Sequence, residues 1–519
     1  MPSRKTRFRT VRLSLQNLLG KEYTEAVCTA RALLAGEDGK ALRQLCAEKV
    51  DFLPKTFQQQ LVALLPQVGE SVCPGLAESA SGATSDAFAA NTKTALSPLS
   101  GYGYLRIGEN GTLCLSSKSA HYHAPLGHGF PGYRVVSLAR QLAVPNATHN
   151  NTRGHITRLL EEELVRAANG VARGDSAGME RLLRAKRQTA ANRVLNLETG
   201  SLAAEAAVKL LLGRFYRAQA GSPTPKYEGK TPVFVVIGDE EGGLEANYHG
   251  TTVLTQIMRG MWPLLAKALE KQGVFLVRPV RPNNIEDLER VFARYEKGRY
   301  KIAGFFYELV MMNYAARRLD ERYVKRVHAL CSKHDVPTVV DEIQTCVWSP
   351  ELFLFREYGV KPSCIVLGKG FPGGEFAASR ILFSAALDCL PQFGALVTNG
   401  QEELASLAYL ITMRWAEANG EVTGAVGDYY MERLLELAGE YPSLISVIEG
   451  KRHLAGVYFD DLDKALDFAK RLNSRGLDIS VQTYKKGCPP CALTKLPLIA
   501  GYEAVDLVIE RMDQALSCL

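Results

Sequence analysis

The sequence predicts an α/β protein in which a mostly parallel sheet carries helices on both faces, giving three layers. Two observations lead to this prediction. Between about residues 230 and 384, short, apolar, β-rich stretches alternate with helical patterns, which is the order that builds a parallel sheet. The chain has 519 residues, of which 46% are hydrophobic and 23% are charged, and such a chain can bury a large core.

Six stretches of this region are expected to be strands, and they lie at residues 232–238 (PVFVVIG), 273–280 (GVFLVRPV), 302–310 (IAGFFYELV), 336–344 (VPTVVDEIQ), 363–370 (SCIVLGKG) and 378–384 (ASRILFS). The helical patterns between them cover residues 253–272, 285–298, 321–334 and 351–359.

Smaller units are expected on either side of this sheet. Apolar residues in the first part of the chain recur at spacings of three and four, which indicates helices. A linker rich in Ser, Ala and Gly follows at 78–103, and a hairpin with ENG as its turn follows at 104–116. The predicted units are a helical N-terminal extension (1–95), the N-terminal part of a small domain (96–165), a large domain (166–400) and a C-terminal α+β part of the small domain (401–519).

Composition excludes several classes of partner. The net charge of +7 is spread along the chain without a dense basic block, so no nucleic-acid partner is expected. No apolar run approaches 18 residues, so no membrane span is expected. The 11 cysteines at irregular spacing favour reduced thiols in the cytoplasm. The basic stretch before Glu22 fits either an organelle transit peptide or a plain basic first helix.

Two charged residues stand where predicted parallel strands end. Asp341 directly follows an apolar strand, and Lys369 lies one helix and one strand later, between two glycines. Ligands of parallel sheets bind at the carboxyl ends of the strands, and a lysine in a dry pocket becomes a nucleophile that can form a Schiff base. Taken alone, each residue also fits a structural role, Asp341 as a helix cap or ion-pair partner and Lys369 as a surface residue on a glycine turn.

Three further segments supply parts of a binding site. Thr199, Gly200 and Ser201 precede an amphipathic helix, whose start can bind a phosphate, although an ordinary N-cap is the simpler interpretation. Tyr248 follows a strand and can stack on an aromatic ligand or lie in the core, and Glu308 ends another strand. An anion cradle, an aromatic side chain, a carboxylate and a strand-end lysine are together the parts needed to hold pyridoxal phosphate.

These motifs resemble those of the class III aminotransferases, which are pyridoxal-phosphate enzymes of fold type I. The resemblance rests on VVDEIQT (339–345) with SCIVLGKGFPGG (363–374), on GSLAAEAAVKL (200–210), on YHGTT (248–252), on LGHGFPG (126–132) and on the closing segment LTKLPLIAGYEAVDLVIERM (493–512). It extends over about four-fifths of the chain. It implies the three-layer fold, pyridoxal 5′-phosphate as the cofactor, a large domain that binds it, and no metal.

The resemblance also implies roles for single residues. Lys369 would form the Schiff base with the cofactor and then move a proton between the substrate and the cofactor carbon. Asp341 would pair with the protonated pyridine nitrogen. Gln344 would hydrogen-bond the ring hydroxyl, and Tyr248 would stack on the ring.

The phosphate and a second subunit account for the other implied residues. Thr199, Gly200 and Ser201 would hold the phosphate through backbone and hydroxyl groups, and Glu308 matches a strand-end glutamate near the active site. Thr398 matches a threonine that reaches the phosphate of the neighbouring subunit. The protein is therefore expected to be a homodimer with its active sites at the interface.

The chain departs from the family pattern at three places. The loop after Thr345 reads Cys346-Val347-Trp348 where the family has glycines and an arginine–threonine step, and Leu309 replaces a proline. The segment before Pro497 reads Leu493-Thr494-Lys495 and lacks the arginine that grips a substrate carboxylate in many members. Lys495 could bind an anion as a point charge, or the substrate could lack that carboxylate.

The expected activity is therefore a transferase reaction, in which an amino group moves between an amine or amino acid and a carbonyl compound. An alternative is a mutase, racemase, decarboxylase or lyase that uses the same cofactor, and a third reading is a non-catalytic partner protein. Cys488 and Cys491 form a CPPC motif without a second Cys or His pair at metal spacing, so they are expected to be two unbonded cysteines by a turn.

Overall fold

The helices and strands are described from a computed structural model, which covers residues 5–483, 485 and 487–519. The strands are β1 (Arg12–Leu13), β2 (Val50–Asp51), β3 (Pro98–Tyr102), β4 (Leu105–Gly108), β5 (Leu113–Leu115), β6 (Ala191–Leu197), β7 (Thr231–Ile237), β8 (Leu276–Val280), β9 (Tyr300–Tyr307), β10 (Val310–Met311), β11 (Arg317–Arg318), β12 (Thr338–Asp341), β13 (Cys364–Leu367), β14 (Ser379–Ser384), β15 (Ile445–Lys451), β16 (Leu454–Phe459), β17 (Ser480–Val481) and β18 (Cys491–Lys495).

The α-helices are α1 (Leu15–Leu19), α2 (Lys21–Ala35), α3 (Gly39–Ala47), α4 (Lys55–Leu64), α5 (Asp86–Asn91), α6 (Arg134–Gln141), α7 (His155–Ala168), α8 (Ser176–Arg184), α9 (Gly200–Leu212), α10 (Val253–Met258), α11 (Pro263–Lys271), α12 (Ile285–Tyr295), α13 (Glu321–Lys333), α14 (Leu354–Glu357), α15 (Glu403–Glu440), α16 (Leu462–Ser474) and α17 (Tyr502–Leu516). None of the helices in the described part of the chain is both long enough and apolar enough to cross a membrane.

A seven-stranded sheet in the order β6-β14-β13-β12-β9-β7-β8 forms the centre of the fold. Its neighbouring strands run parallel, except that β14 is antiparallel to both β13 and β6. All six strands predicted from the sequence belong to this sheet. The prediction of a mostly parallel α/β sheet is confirmed.

The three layers follow from the alternation of side chains along the strands. In β7, Val233 and Val235 belong to one apolar core, whereas Phe234 and Val236 belong to another that includes residues of α9. Both faces of β7 are therefore covered, which is why its sequence is apolar without interruption.

Two predictions about elements of the large domain need correction. The single helix expected over 253–272 is two helices, α10 and α11, because Gly260 and Trp262 adopt positive φ angles of +84° and +57° and Pro263 starts the second helix. The strand β6 was not predicted, because Asn192, Arg193 and Asn196 break its apolar pattern.

Smaller sheets lie outside the large one. The predicted hairpin forms as β4 and β5, and β3, inside the segment expected to be a linker, pairs with β4. A four-stranded sheet, β15-β16-β18-β17, carries the C-terminal part. Helices α1 to α4 occupy much of the first 95 residues, and the boundaries of the units remain predictions.

Candidate active site

A cavity of about 500 Å³ opens at the carboxyl ends of the central strands. Asp341 is the last residue of β12, Lys369 follows β13 by two residues, and these two strands are parallel neighbours. The cavity is lined by His123, Glu198, Thr199, Gly200, Ser201, Tyr248, His249, Gly250, Glu308, Asp341, Ile343, Gln344, Lys369, Pro372, Gly374, Phe376, Ala377 and Ala378.

The fold brings together all but one of the site residues that the sequence suggested. Those that line the cavity are Thr199, Gly200, Ser201, Tyr248, Glu308, Asp341, Gln344 and Lys369. Thr398 is exposed and does not line the cavity of its own chain. The backbone N–H of the next residue, Asn399, donates to the carboxylate of the lining residue Glu198 at 3.1 Å.

Both oxygens of the buried Asp341 carboxylate accept hydrogen bonds. Its Oδ2 lies 2.9 Å from Nδ1 of His249, and its Oδ1 accepts from the backbone N–H of Ile343 at 3.0 Å. Nε2 of His249 is buried and has no hydrogen-bond partner among the described residues. His249 was missed by the sequence reasoning, although it stands next to Tyr248. Its contact fixes the direction in which Asp341 faces.

Lys369 stands on a constrained backbone. Its φ of +32° is unusual for a residue other than glycine. Burial lowers the pKa of its amine, while the carboxylates of Glu308 and Asp341 act in the opposite direction. The following Gly370 is required by packing, because a Cβ there would lie 2.8 Å from the ring of Trp348. Glycine at this position therefore allows the ring of Trp348 to pack against the backbone next to Lys369.

Glu308 lies deep in the cavity wall. Its Oε1 has no hydrogen-bond partner in the part of the chain that the structure describes. Burial raises the pKa of Glu308 well above its ordinary value, and the Asp341 carboxylate adds to this effect. Lys485, a residue that the sequence did not suggest, opposes it. Burial lowers the pKa of Lys485 to about 8, and its ammonium donates to the backbone oxygen of Ala246 at 2.8 Å.

The start of α9 forms part of the cavity wall. Among the described residues no side chain caps this helix, although Thr199 occupies the N-cap position. Ser201 Oγ accepts from the backbone N–H of Thr251 at 3.1 Å. A Cβ at Gly200 would collide with the side chain of Ile343. The terminus of α9 is thus packed closely against the cavity with its first N–H groups available for an anion.

An aromatic side chain and an amide complete the lining. Tyr248 is half-buried, and the guanidinium of Arg259 lies 4.7 Å from the centre of its ring. Gln344 is buried, and its Oε1 accepts from the ammonium of Lys495 at 3.4 Å. The arrangement suits a planar ligand with an anionic group at α9 and a basic nitrogen or polar substituent near Asp341 and Gln344.

Metal ligands and the CPPC cysteines concern chemistry other than that of this cavity. Among residues 5–483, 485 and 487–519, no group of three or more His, Cys, Asp or Glu side chains is placed to hold a metal ion. Cys488 donates to Gln482 Oε1 at 3.3 Å, and Cys491 donates to the backbone oxygen of Ala315 at 3.8 Å. These two cysteines are free thiols with separate partners.

Comparison with known proteins gives a consistent result. A family model described as "Aminotransferase class-III" matches residues 120–516. The chain is 26% identical to a leucine/methionine racemase of Thermococcus litoralis over 44% of this chain and 55% of that protein. It is also 26% identical to an acetylornithine aminotransferase of Synechocystis over 50% of this chain and 57% of that protein. The chain thus spans a little over half the length of these curated relatives.

The fold has solved counterparts. A transaminase from a marine Virgibacillus superposes with a TM-score of 0.66, at 16% identity, over 84% of this chain and 96% of that structure. At that identity the likeness establishes the fold alone.

Proposed function

The chain belongs to the class-III aminotransferase family, and on this premise we propose that it transfers an amino group between an amine or amino acid and a carbonyl compound. Pyridoxal 5′-phosphate is the proposed cofactor. The observation that carries this proposal is the meeting of Asp341 and Lys369 in one cavity that the start of α9 also lines. Because the matched relatives are covered only in part, the activity is inferred from this cavity.

The residues of the cavity fit the proposed cofactor. The start of α9, with Thr199, Gly200 and Ser201, would hold its phosphate. Tyr248 would stack on its ring and Gln344 would reach its ring oxygen. Asp341, oriented by His249, would hold a proton on the ring nitrogen.

When bound, pyridoxal phosphate supplies an aldehyde that combines with amines and a ring that withdraws electrons from the reacting carbon. Lys369 has the properties of a proton carrier, because burial lowers the pKa of its amine and so raises the fraction that is neutral near pH 7. The buried, unpartnered Glu308 Oε1 would face the bound group from the cavity wall. The low exposure of these side chains keeps water from competing for the same proton.

The assembly and location are also part of the proposal. We propose a homodimer in which the exposed Thr398 reaches the phosphate of the neighbouring subunit, since it does not line its own cavity. We place the protein in the cytoplasm, and the 11 free cysteines support this placement.

One observation favours a second candidate function. Among the described residues that line the cavity there is no arginine, and the only lysine is Lys369. Among these described lining residues, therefore, no arginine is placed to bind the carboxylate of an amino acid in bidentate fashion. A racemase, lyase, mutase or decarboxylase on the same scaffold is the second candidate, and one of the relatives above is named a racemase.

Half-reactions separate the two candidates. The purified protein with cofactor is mixed with single amine donors, and the visible absorbance is followed before and after a keto acid is added. Bleaching by a donor and recovery with the keto acid are expected of an aminotransferase. A visible band that shifts without bleaching, for every donor tried, would contradict amino transfer and favour the second candidate.

A further inference from the structure

Lys495 is a buried amine next to the cavity but not part of its lining. It ends β18, and its side chain is completely shielded from solvent. Its ammonium donates to the backbone oxygen of Tyr122 at 3.2 Å and to Gln344 Oε1 at 3.4 Å. No carboxylate of the described residues lies within ion-pair distance of it. Burial lowers the pKa of Lys495 well below its ordinary value, and the neighbouring Lys369 adds to this effect, because a buried charge without a counter-charge is costly.

Trp348 packs against this amine. The Nζ of Lys495 lies 3.7 Å from the centre of the Trp348 ring, whose face can accept an N–H group. Trp348 is held in turn, because its Nε1–H donates to the backbone oxygen of Leu496 at 3.0 Å. Two of the three places where the sequence departs from the family pattern, 346–348 and 493–495, are therefore in contact with each other.

The hydrogen bond from Lys495 decides how the Gln344 side chain faces. A side-chain amide has one accepting oxygen and one donating NH₂ group. Since the oxygen of Gln344 accepts from Lys495, its NH₂ group is left for the cavity. A donor at that position suits an acceptor oxygen on the ring of the bound group.

The backbone that receives the other hydrogen bond of Lys495 is unusual. Ser119, Ala120, His121 and Tyr122 have φ angles of +48°, +47°, +62° and +77°, a left-handed turn that costs energy in residues other than glycine. Ser119 Oγ donates to the backbone oxygen of Lys495. This turn is thus hydrogen-bonded to both the side chain and the backbone of Lys495. In this position the centre of the Tyr122 ring lies 5.5 Å from the Lys369 nitrogen.

We propose that Lys495 is a positioning residue, which holds the Gln344 amide with its NH₂ group toward the cavity and does not bind a substrate carboxylate. This inference rests on the proposed function, because Gln344 needs a bound ring to act on. In the described part of the chain, the Lys495 nitrogen donates hydrogen bonds to Tyr122 and Gln344 and contacts the ring of Trp348. A carboxylate would have to displace these contacts in a place that solvent does not reach.

The test compares Lys495→Met with Lys470→Met, a substitution of an exposed lysine, in the protein loaded with pyridoxal phosphate. The first readout is the pH midpoint at which the visible spectrum of the bound cofactor changes. The titratable groups that face Lys495 are Lys369, Cys346 and Tyr122, whose ring centre lies 5.7 Å from the Lys495 nitrogen. We expect the midpoint of Lys495→Met to rise by at least half a pH unit, because the donor to the ring oxygen is released, and that of Lys470→Met to stay unchanged.

The second readout uses two carbonyl reagents that differ in a carboxylate, aminooxyacetate and methoxyamine. A positioning role predicts that Lys495→Met changes both reaction rates by the same factor. Slowing by tenfold or more with aminooxyacetate alone would identify Lys495 as a carboxylate-binding residue and overturn the proposal. An unchanged spectral midpoint would overturn it as well.

Trp348→Phe provides a second, milder test in case Lys495→Met does not fold. It removes the Nε1–H and weakens the ring contact, so a smaller shift of the midpoint in the same direction is expected, and no shift would count against the proposal. If the wild-type protein develops no visible band with the cofactor, the proposed function itself fails. That outcome differs from one in which the wild type develops the band but its pH midpoint is the same as that of Lys495→Met, which would overturn only the inference about Lys495.

Discussion

His249 shows how a side chain outside the predicted set can control one inside it. His249→Ala removes one of the two hydrogen bonds that orient the Asp341 carboxylate. Hydrogen bonds to charged groups contribute about 1.5–3 kcal/mol, so we expect the affinity for pyridoxal phosphate to fall by about tenfold or more. Titration of the protein with cofactor, followed by absorbance, measures this. His149→Ala, at an exposed position, is the control, and equal affinities would contradict the role of His249.

The neighbouring carboxylates Asp341 and Glu342 have separate roles. Asp341 faces the cavity, whereas Glu342 accepts hydrogen bonds from the Phe355 N–H at 2.8 Å and from the Thr345 hydroxyl. Burial raises the pKa of Glu342 to about 7, although these hydrogen bonds lower it. A carboxyl whose pKa is higher in the folded than in the unfolded chain stabilises the fold at low pH, and this stabilisation disappears as the pH rises through 7.

Glu342→Gln should abolish that pH dependence. Between pH 5 and pH 8 we expect the free energy of unfolding of the variant to rise by about 2–3 kcal/mol relative to the wild type. Denaturant unfolding at both pH values measures the difference. Glu432→Gln, at an exposed position, should show none. If the difference in the free energy of unfolding between Glu342→Gln and the wild type were the same at pH 5 and pH 8, the Glu342 carboxyl would not be protonated in the folded protein at low pH.

At the residue scale the sequence predicts the charged groups but not their partners. Asp341 and Lys369 are recognisable because each follows a short apolar strand. His249 and Lys485 are not, because their partners Asp341 and Glu308 are far away in sequence and only the fold brings them together. A contact between residues that are distant along the chain produces no recognisable pattern in the local sequence.

At the element scale, α7 depends on a carboxylate from another helix. Glu403 in α15 is buried and accepts from the backbone N–H groups of Ile156 and Thr157 at 2.9 and 3.1 Å. These are unsatisfied donors of the first turn of α7. We expect Glu403→Ala to lower the free energy of unfolding by about 2–4 kcal/mol, because each buried donor left without a partner costs about 1–3 kcal/mol.

Thermal and denaturant unfolding measure that loss. Glu440→Ala, at the exposed end of the same helix, is the matched control and should change stability by less than about 0.5 kcal/mol. If the two variants were equally stable, the carboxylate of Glu403 would have no capping role.

Strands were predictable from the sequence where they consist of an unbroken run of apolar residues. The strands β7, β9 and β13 are apolar from residues 232, 302 and 364 to their ends, because both faces of the sheet are covered. The strand β6 escaped prediction because its buried asparagines hydrogen-bond elsewhere, as Asn192 does to the backbone of Leu182 and Ala185. The break between α10 and α11 depends on the left-handed Trp262, which composition alone does not reveal.

At the scale of the whole molecule, the proposed homodimer can be tested directly. Light scattering should give a mass of twice 56.9 kDa, and a monomer with full cofactor affinity would contradict the proposed interface site. If Thr398 serves the neighbouring subunit, Thr398→Ala should weaken cofactor binding by a few fold although the residue is exposed and outside its own cavity. Thr224→Ala, at another exposed loop position, should leave the affinity unchanged.

The central claim is that Lys369 is the amine that holds pyridoxal phosphate in this cavity. The most direct measurement is borohydride reduction of the loaded protein, followed by mass spectrometry of its peptides. We predict one modified peptide, with the added mass on Lys369, and no modification in Lys369→Ala. Modification of Lys485 or Lys495 in the wild type, or no modified peptide at all, would contradict the claim.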